Sequence, residues 1–518
     1  MVQSACEHRF LFTTLLFVVN LLHHSKYKKG NTGVISKTNG IAMVSMDAKL
    51  KEIFPSETVN KDLSKKGILA SRALPSYVVD WLVSRYSDGN NLDEVGLQKF
   101  LDSYLPDKSK SEEIKHRLIC ERERVSILAE FRVVPDVRSG EERLEIPILD
   151  ICGKDGAVSS RIASQNRDLL NGGCWGKGEL SWTEGMKLGD GRVFLDEFAP
   201  FKPFSANLEY FRKARERFSL DEWIDILVKS MEYNPEAFES SKQKLLMISR
   251  LLPFIEPRIN MMELAPKGTG KSYVYGRLTK YGWLISGGSV SRAQLFYDIA
   301  RKKRGLITRF DYIALDEIQT IKFDKQEEIA GALKGYLESG EYRVAGYHGE
   351  AEAGFVLLGN IELNSSGRPR NEVYISLLPH FMQESAFLDR FHVLLEGWFL
   401  PRISENSIVR GYALNSDFFA EIMHELRKDT IPSSLVSKLI EVPPSADKRD
   451  TTAVKRIATA YVKLLFPHAK KIEDISPEEF ESYCLNPAIQ MRGIIRRQLH
   501  LIDSEFKPNM PDIQMKKS

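Results

Sequence analysis

From Asp47 onward, apolar side chains recur at intervals of three and four. Leu50, Ile53 and Phe54 make one short stripe. Tyr77, Val78, Trp81, Leu82 and Tyr86 make a second, with Pro75 just ahead of it, where the start of a helix accepts proline. Leu97–Leu105 and Glu112–Ile119 continue the helical pattern. The texture then changes. Arg124–Val134, Leu144–Ile151 and Arg192–Phe198 read as strands, the first two joined through a turn at Ser139-Gly140. Asn171–Gly173 and Gly176–Gly191 read as loop. This predicts a helical domain over 46–118 and then a β-rich, OB-like DNA-binding domain over 119–205. Tyr210–Met231 and Ser240–Leu252 are amphipathic helices leading into an apolar strand, Ile259–Leu264. Beyond it strands and helices alternate, which predicts an α/β core over 206–428 with a helical lid and tail over 429–518.

Composition narrows the class without naming a function. A chain of 518 residues holds about three domains, and 43% hydrophobic with 28% charged residues is ordinary for soluble globular protein. A net charge of +3 gives no global field toward nucleic acid, so any basic surface must be local. Cys6, Cys120, Cys152, Cys174 and Cys484 are scattered and show no Cys-x-x-Cys spacing, which argues against a disulfide framework and a zinc module. Phe10–Leu22 is too short to span a bilayer comfortably. Three readings suit it: a signal or anchor, a local packing element, or sequence upstream of a true start at Met43 or Met46. The last is preferred for residues 1–45. The chain is expected in the cytoplasm, where ATP is, with no membrane partner. Phe198-Ala199-Pro200-Phe201-Lys202-Pro203-Phe204 could stack bases, but fits a proline-stiffened linker better.

The chemistry concentrates at Ala265-Pro266-Lys267-Gly268-Thr269-Gly270-Lys271-Ser272. The phosphate-loop pattern G-x-x-x-x-G-K-[ST] matches at Gly270, Lys271 and Ser272, with Ala265 at its first glycine. Gly268 and Gly270 let backbone N–H groups turn inward around a polyphosphate. Lys271 is placed to reach the β- and γ-phosphates and the Ser272 hydroxyl to hold Mg²⁺. The residues from Tyr273 to Lys280 read as a helix whose positive end faces the phosphates. Hence Pro266, Lys267, Gly268, Thr269, Gly270, Lys271, Ser272 and Tyr273 are expected to bind ATP. Tyr312–Glu317 is an apolar strand ending in two carboxylates. Asp316 is expected to complete the Mg²⁺ shell and Glu317 to orient or deprotonate the attacking water. A third strand, Gly354–Gly359, ends at Asn360, whose amide suits that water. Leu337–Gly354 reads as an inserted hairpin, and Arg390 in Phe387–Phe391 as an arginine finger acting across a subunit boundary.

Together these residues resemble an AAA+ ATPase. The hairpin before the third strand and the Phe387–Phe391 stretch are similar to the minichromosome maintenance (MCM) arrangement, as is Arg449 followed seven residues later by Arg456. From about Met46 onward the chain resembles the Lon-related BrxL family of BREX phage-defence systems. FSLDEWIDILVKSMEYNPEAF, RLLPFIEPRINMMELAPKGTGKSYVYGRL and RDTTAVKRIATAYVKLLFPH carry the likeness most plainly. The resemblance implies a hexameric or double-hexameric ring on double-stranded DNA, with other BREX proteins as partners. It implies Lys271 and Ser272 as Walker A, Asp316 and Glu317 as Walker B, Asn360 as sensor 1, Arg390 as finger and Arg449 as sensor 2. The hairpin tip near His348 corresponds to the pore contact with DNA; it has no tip lysine, which leaves Arg343 and His348. Many relatives continue into a serine–lysine protease domain, for which the stretch after Asp474 has no room, so protease activity is not expected. An ATP-driven DNA motor is thus expected; the alternatives are an ATP-switched scaffold on DNA and a protein remodeller.

Overall fold

The Ser45 hydroxyl accepts a hydrogen bond from the Ala48 N–H and caps helix α1 (Met46–Ile53), whose Leu50 and Ile53 are buried. The structure, a computed structural model, describes residues 45–518 apart from 66, 71–73, 107, 137–138, 167–168, 171–172, 186–189, 201–205, 301, 345 and 517–518. The run Phe10–Leu22, a start at Met43 and the segment Phe201–Phe204 lie outside the described residues. Among the described residues no helix is long and apolar enough to cross a membrane.

The predicted stripes form helices α2 (Ser76–Tyr86), α3 (Glu94–Tyr104) and α4 (Ser111–Ile119). Val78, Leu82, Leu97 and Leu101 share one buried cluster, apart from the barrel core that follows. That barrel is closed by five strands: β1 (Val125–Asp136), β2 (Glu141–Glu145), β3 (Gly156–Val158), β4 (Cys174–Thr183) and β5 (Arg192–Pro200), in the order β1-β2-β3-β5-β4. β3 and β5 run parallel; the other pairs are antiparallel. Two sequence expectations need correction here. Much of the stretch read as loop is the ten-residue strand β4. Its glycines are there for space: a Cβ on Gly176 would lie 2.5 Å from the Phe198 ring, and one on Gly178 would lie 2.4 Å from the Phe131 ring. The strand expected over Leu144–Ile151 stops at Glu145, because Pro147 has no N–H for the ladder and opens a 3₁₀ turn.

The expected helix Tyr210–Met231 is two, α5 (Leu208–Arg215) and α6 (Leu220–Ser230), because Ser219 and Glu222 form a capping box that restarts the chain. After it comes a parallel sheet. Its strands are β6 (Met261–Ala265), β7 (Gly282–Ser286), β8 (Tyr312–Asp316), β11 (Gly354–Asn360) and β12 (Val393–Glu396), in the order β12-β6-β11-β8-β7. The antiparallel hairpin β9 (Glu341–Val344) and β10 (Tyr347–Glu350) precedes β11. Covered on both faces, the central strands are apolar almost throughout. Tyr312 and Ala314 join one core cluster, Ile313 and Leu315 the other. In the hairpin, Tyr342 and Val344 turn inward while Glu341 and Arg343 face out. His348 pairs across from Arg343, one step below the Val344–Tyr347 pair that closes the turn. Helices α7 (Lys271–Arg277), α8 (Gln326–Ser339), α9 (Ser416–Arg427), α10 (Lys448–Leu465) and α11 (Asn486–Ile502) complete the frame used below.

Candidate nucleotide site

Pro266–Gly270 leave the carboxyl end of β6 and enter α7. Gly268 and Gly270 take φ of +83° and +79°, which side chains resist. Ala265, at the motif's first glycine position, is instead the last residue of an extended, fully buried strand, where alanine fits without strain. Three contacts hold the loop's shape. The Gly268 carbonyl accepts from the Ile403 N–H at 2.8 Å, and the Thr269 carbonyl from Arg250 Nη1 at 2.9 Å. The Tyr233 hydroxyl donates to the Gly270 carbonyl at 3.4 Å.

Lys271 Nζ donates to the Ala265 and Pro266 carbonyls at 3.1 Å each and to Asn360 Oδ1 at 3.3 Å. The sequence-predicted Lys271 and Asn360 therefore meet. Burial lowers the Lys271 pKa, while Glu263 and more weakly Asp316 and Glu317 act the other way. Asp316 ends β8 and its Oδ1 accepts the Glu317 N–H at 2.9 Å. Glu317 has φ +51°, a left-handed backbone that costs a non-glycine residue roughly 1 kcal/mol. That turn leaves Asp316 buried and Glu317 exposed at the strand end. Lys267 is exposed on the loop and Ser272 on the first turn of α7, and Thr269 is buried with its hydroxyl on the Pro266 carbonyl.

The two predicted arginines lie elsewhere. The Arg390 carbonyl accepts from Asn260 Nδ2 at 3.3 Å, and Asn260 immediately precedes β6. Arg390 and the loop lysine thus attach to opposite ends of one strand, about 15 Å apart at the usual rise of a five-residue strand. Arg449 joins Arg390 at the amino end. Arg390 Nε is 3.0 Å from Glu338, and Arg449 Nη2 is 2.8 Å from the same carboxylate. Arg456 Nη1 donates to the Arg258 carbonyl, also at that edge, at 3.1 Å.

A family profile described as the ATPase domain of Lon-like protease BrxL-like proteins matches residues 193–512. A second, the BrxL N-terminal region of BREX systems, matches 52–182. The chain belongs to the BrxL family. It is 31% identical over 464 residues to the Lon-like protease BrxL of Escherichia coli O9:H4 (strain HS), covering 88% of this chain and 64% of that protein. The Lon-like protease BrxL of Bacillus cereus (strain H3081.97) is 29% identical over 452 residues, covering 86% and 65%. The chain spans a little under two thirds of the length of these relatives. The match supports an AAA+-type α/β core for this BrxL-family chain. The border between the two matches falls between β4 and β5, so the barrel takes its last strand from the ATPase-domain match.

Three participants went unread in the sequence. Glu263 lies mid-strand in β6, 0% exposed, and pairs with Arg250, also 0% exposed, at 2.6 Å. A single carboxylate inside MMELA was the available signal, since a buried charge requires a partner. Tyr233 packs against Gly270 so closely that a Cβ there would lie 2.2 Å from its hydroxyl. Arg492, 1% exposed, donates to the Asp389 and Phe391 carbonyls at 3.0 and 2.6 Å and pairs with Asp450 at 2.8 Å. Its partners flank Arg390 and Arg449, and no spacing in the sequence announces that.

Proposed function

We propose that this chain is an ATP-hydrolysing, DNA-binding motor of a BREX anti-phage defence system, working in the cytoplasm as a ring of identical copies, hexameric or doubled, alongside other BREX proteins. One observation carries the reading. Lys271, Asp316 and Glu317 belong to the carboxyl edge of the sheet, and Arg390 and Arg449 to its amino edge. A triphosphate held by one copy then receives its arginines from the next. Pro266–Tyr273 wrap the phosphates, and Asn360 beside Lys271 orients the attacking water with Glu317 as base. Ser272 and Asp316 offer the hard oxygens that Mg²⁺ prefers, and the ion would neutralise charge developing on the phosphates.

DNA engagement rests on two features. The barrel's strand order, with its parallel β3–β5 pair, supports an OB-like assignment for 119–205, behind a helical domain at 46–118. The outward Arg343 and His348 on the hairpin of the 206–428 core suit a strand passing through a pore, with 429–518 as lid. Single-molecule tracking on double-stranded DNA tests the motor. Directional, ATP-dependent movement that stops in Glu317→Gln is expected; static or diffusive occupancy at every ATP concentration refutes it in favour of an ATP-switched scaffold.

A further inference from the structure

A cavity of about 610 Å³ opens beside Gly268 and Gly270. One wall comes from the phosphate loop and what braces it: Tyr233, Tyr273 and Ile403. The facing wall comes from far upstream, with Leu69, Leu74 and Val79 of the N-terminal helical region. That upstream wall lies within the 52–182 match, outside the ATPase-domain match. We infer that this cavity holds the purine base and ribose of the nucleotide, so that the N-terminal region is itself part of the nucleotide site. The inference rests on the triphosphate reading of the loop given above.

Position comes first. A nucleoside is tethered to its phosphates, and the cavity begins at the two glycines that shape the phosphate cradle. Chemistry comes second. Aliphatic walls with a few convergent polar groups suit a flat heteroaromatic ring bearing hydroxyls, and this volume lies in the range usual for small-ligand sites. Two lysines of the lining are already engaged. Lys61 Nζ is 2.7 Å from Asp80 and 2.9 Å from Glu232. Burial works to lower the Lys61 pKa, but the two carboxylates overcome it and hold the ammonium charged. Lys65 Nζ donates to the Val409 carbonyl. The Lys61 charge is thus satisfied within the protein, and a neutral nucleoside makes no demand on it.

The third argument is connection. Tyr273 follows Ser272 in the phosphate-loop helix, and its hydroxyl meets the Glu232 carboxylate and lies 3.3 Å from the Ser76 hydroxyl. Ser76 opens α2, and Asp80 on the same helix accepts hydrogen bonds from Lys61 and from the Ser416 backbone, the latter at 2.8 Å. Filling the cavity thus acts on the same residues that tie α2 to the core.

Calorimetry with the full chain separates base from phosphates. Mg²⁺ with ATP and Mg²⁺ with inorganic tripolyphosphate are titrated into the wild type, Val79→Trp and Lys271→Ala. The inference expects ATP to bind at least about tenfold tighter than tripolyphosphate. Val79→Trp erases that advantage without changing tripolyphosphate affinity, and Lys271→Ala weakens both ligands. Hydrogen exchange on the wild type gives a check free of folding defects: ATP, but not tripolyphosphate, slows exchange over residues 61–83. Equal affinities in the wild type, or unchanged exchange there with ATP bound, overturn the base site. If Lys271→Ala leaves both affinities intact, the loop reading falls instead.

Discussion

Arg390 and Arg449 converge on one carboxylate: Glu338 lies 3.0 Å from the first and 2.8 Å from the second. Both are thereby held at the edge of the sheet opposite Lys271. Arg390→Ala and Lys271→Ala should each abolish steady-state ATP turnover. Mixing the two variants should restore part of it, because some seams then pair an intact loop with an intact arginine. A phosphate-release assay on mixtures at varied ratio reads this. No recovery at any ratio would mean that the arginines act within their own chain.

Glu317→Gln removes the proposed base but keeps the shape of the strand end. Hydrolysis should fall about 10²- to 10⁴-fold, the usual worth of general base catalysis, with ATP affinity nearly unchanged. Turnover assays and calorimetry on the same preparation measure the two quantities. A parallel loss of binding would assign Glu317 to holding the nucleotide.

The Arg250–Glu263 pair lies behind the phosphate loop with both side chains fully buried. Breaking such a pair from one side costs about 3–5 kcal/mol, whereas replacing both partners with apolar groups costs far less. Arg250→Met and Glu263→Leu should each shift denaturant midpoints strongly, and the double variant should recover much of the loss. Yet the double variant still lacks the Arg250 donor on the Thr269 carbonyl. Its ATP affinity should therefore stay low while its stability returns.

Lys271 has a pKa below the ordinary lysine value because burial penalises its ammonium. A bound polyphosphate favours that ammonium and raises the pKa again. Between the free and bound values, binding must take up a proton, so ATP affinity should fall as pH rises through the free value. Calorimetry in two buffers of different ionisation enthalpy detects the uptake. Lys271→Arg, charged throughout, should abolish it.

Three strands of the sheet, β6, β8 and β11, were legible from sequence because buried parallel strands are plain apolar runs, and Asp316 and Asn360 fall at their ends; β7, only half-buried, and the four-residue β12 were not. Lys271 was legible for a local reason too: the loop is a continuous stretch whose backbone does the work. The barrel was read less well. Strand β4 owes its glycines to the rings of Phe131 and Phe198, a requirement set by neighbours distant in sequence. The same holds for Arg492 and for the upstream wall at Leu69 and Val79. Contacts made across the fold leave little trace in local spacing, whereas a phosphate loop is nearly all trace.

Arg492 fastens the backbone on either side of Arg390 to Asp450, the neighbour of Arg449 on α10. A guanidinium with so many short bonds behaves as a rivet rather than a hinge. Any tilt of the C-terminal helices must then swing both arginines together, as one rigid lever.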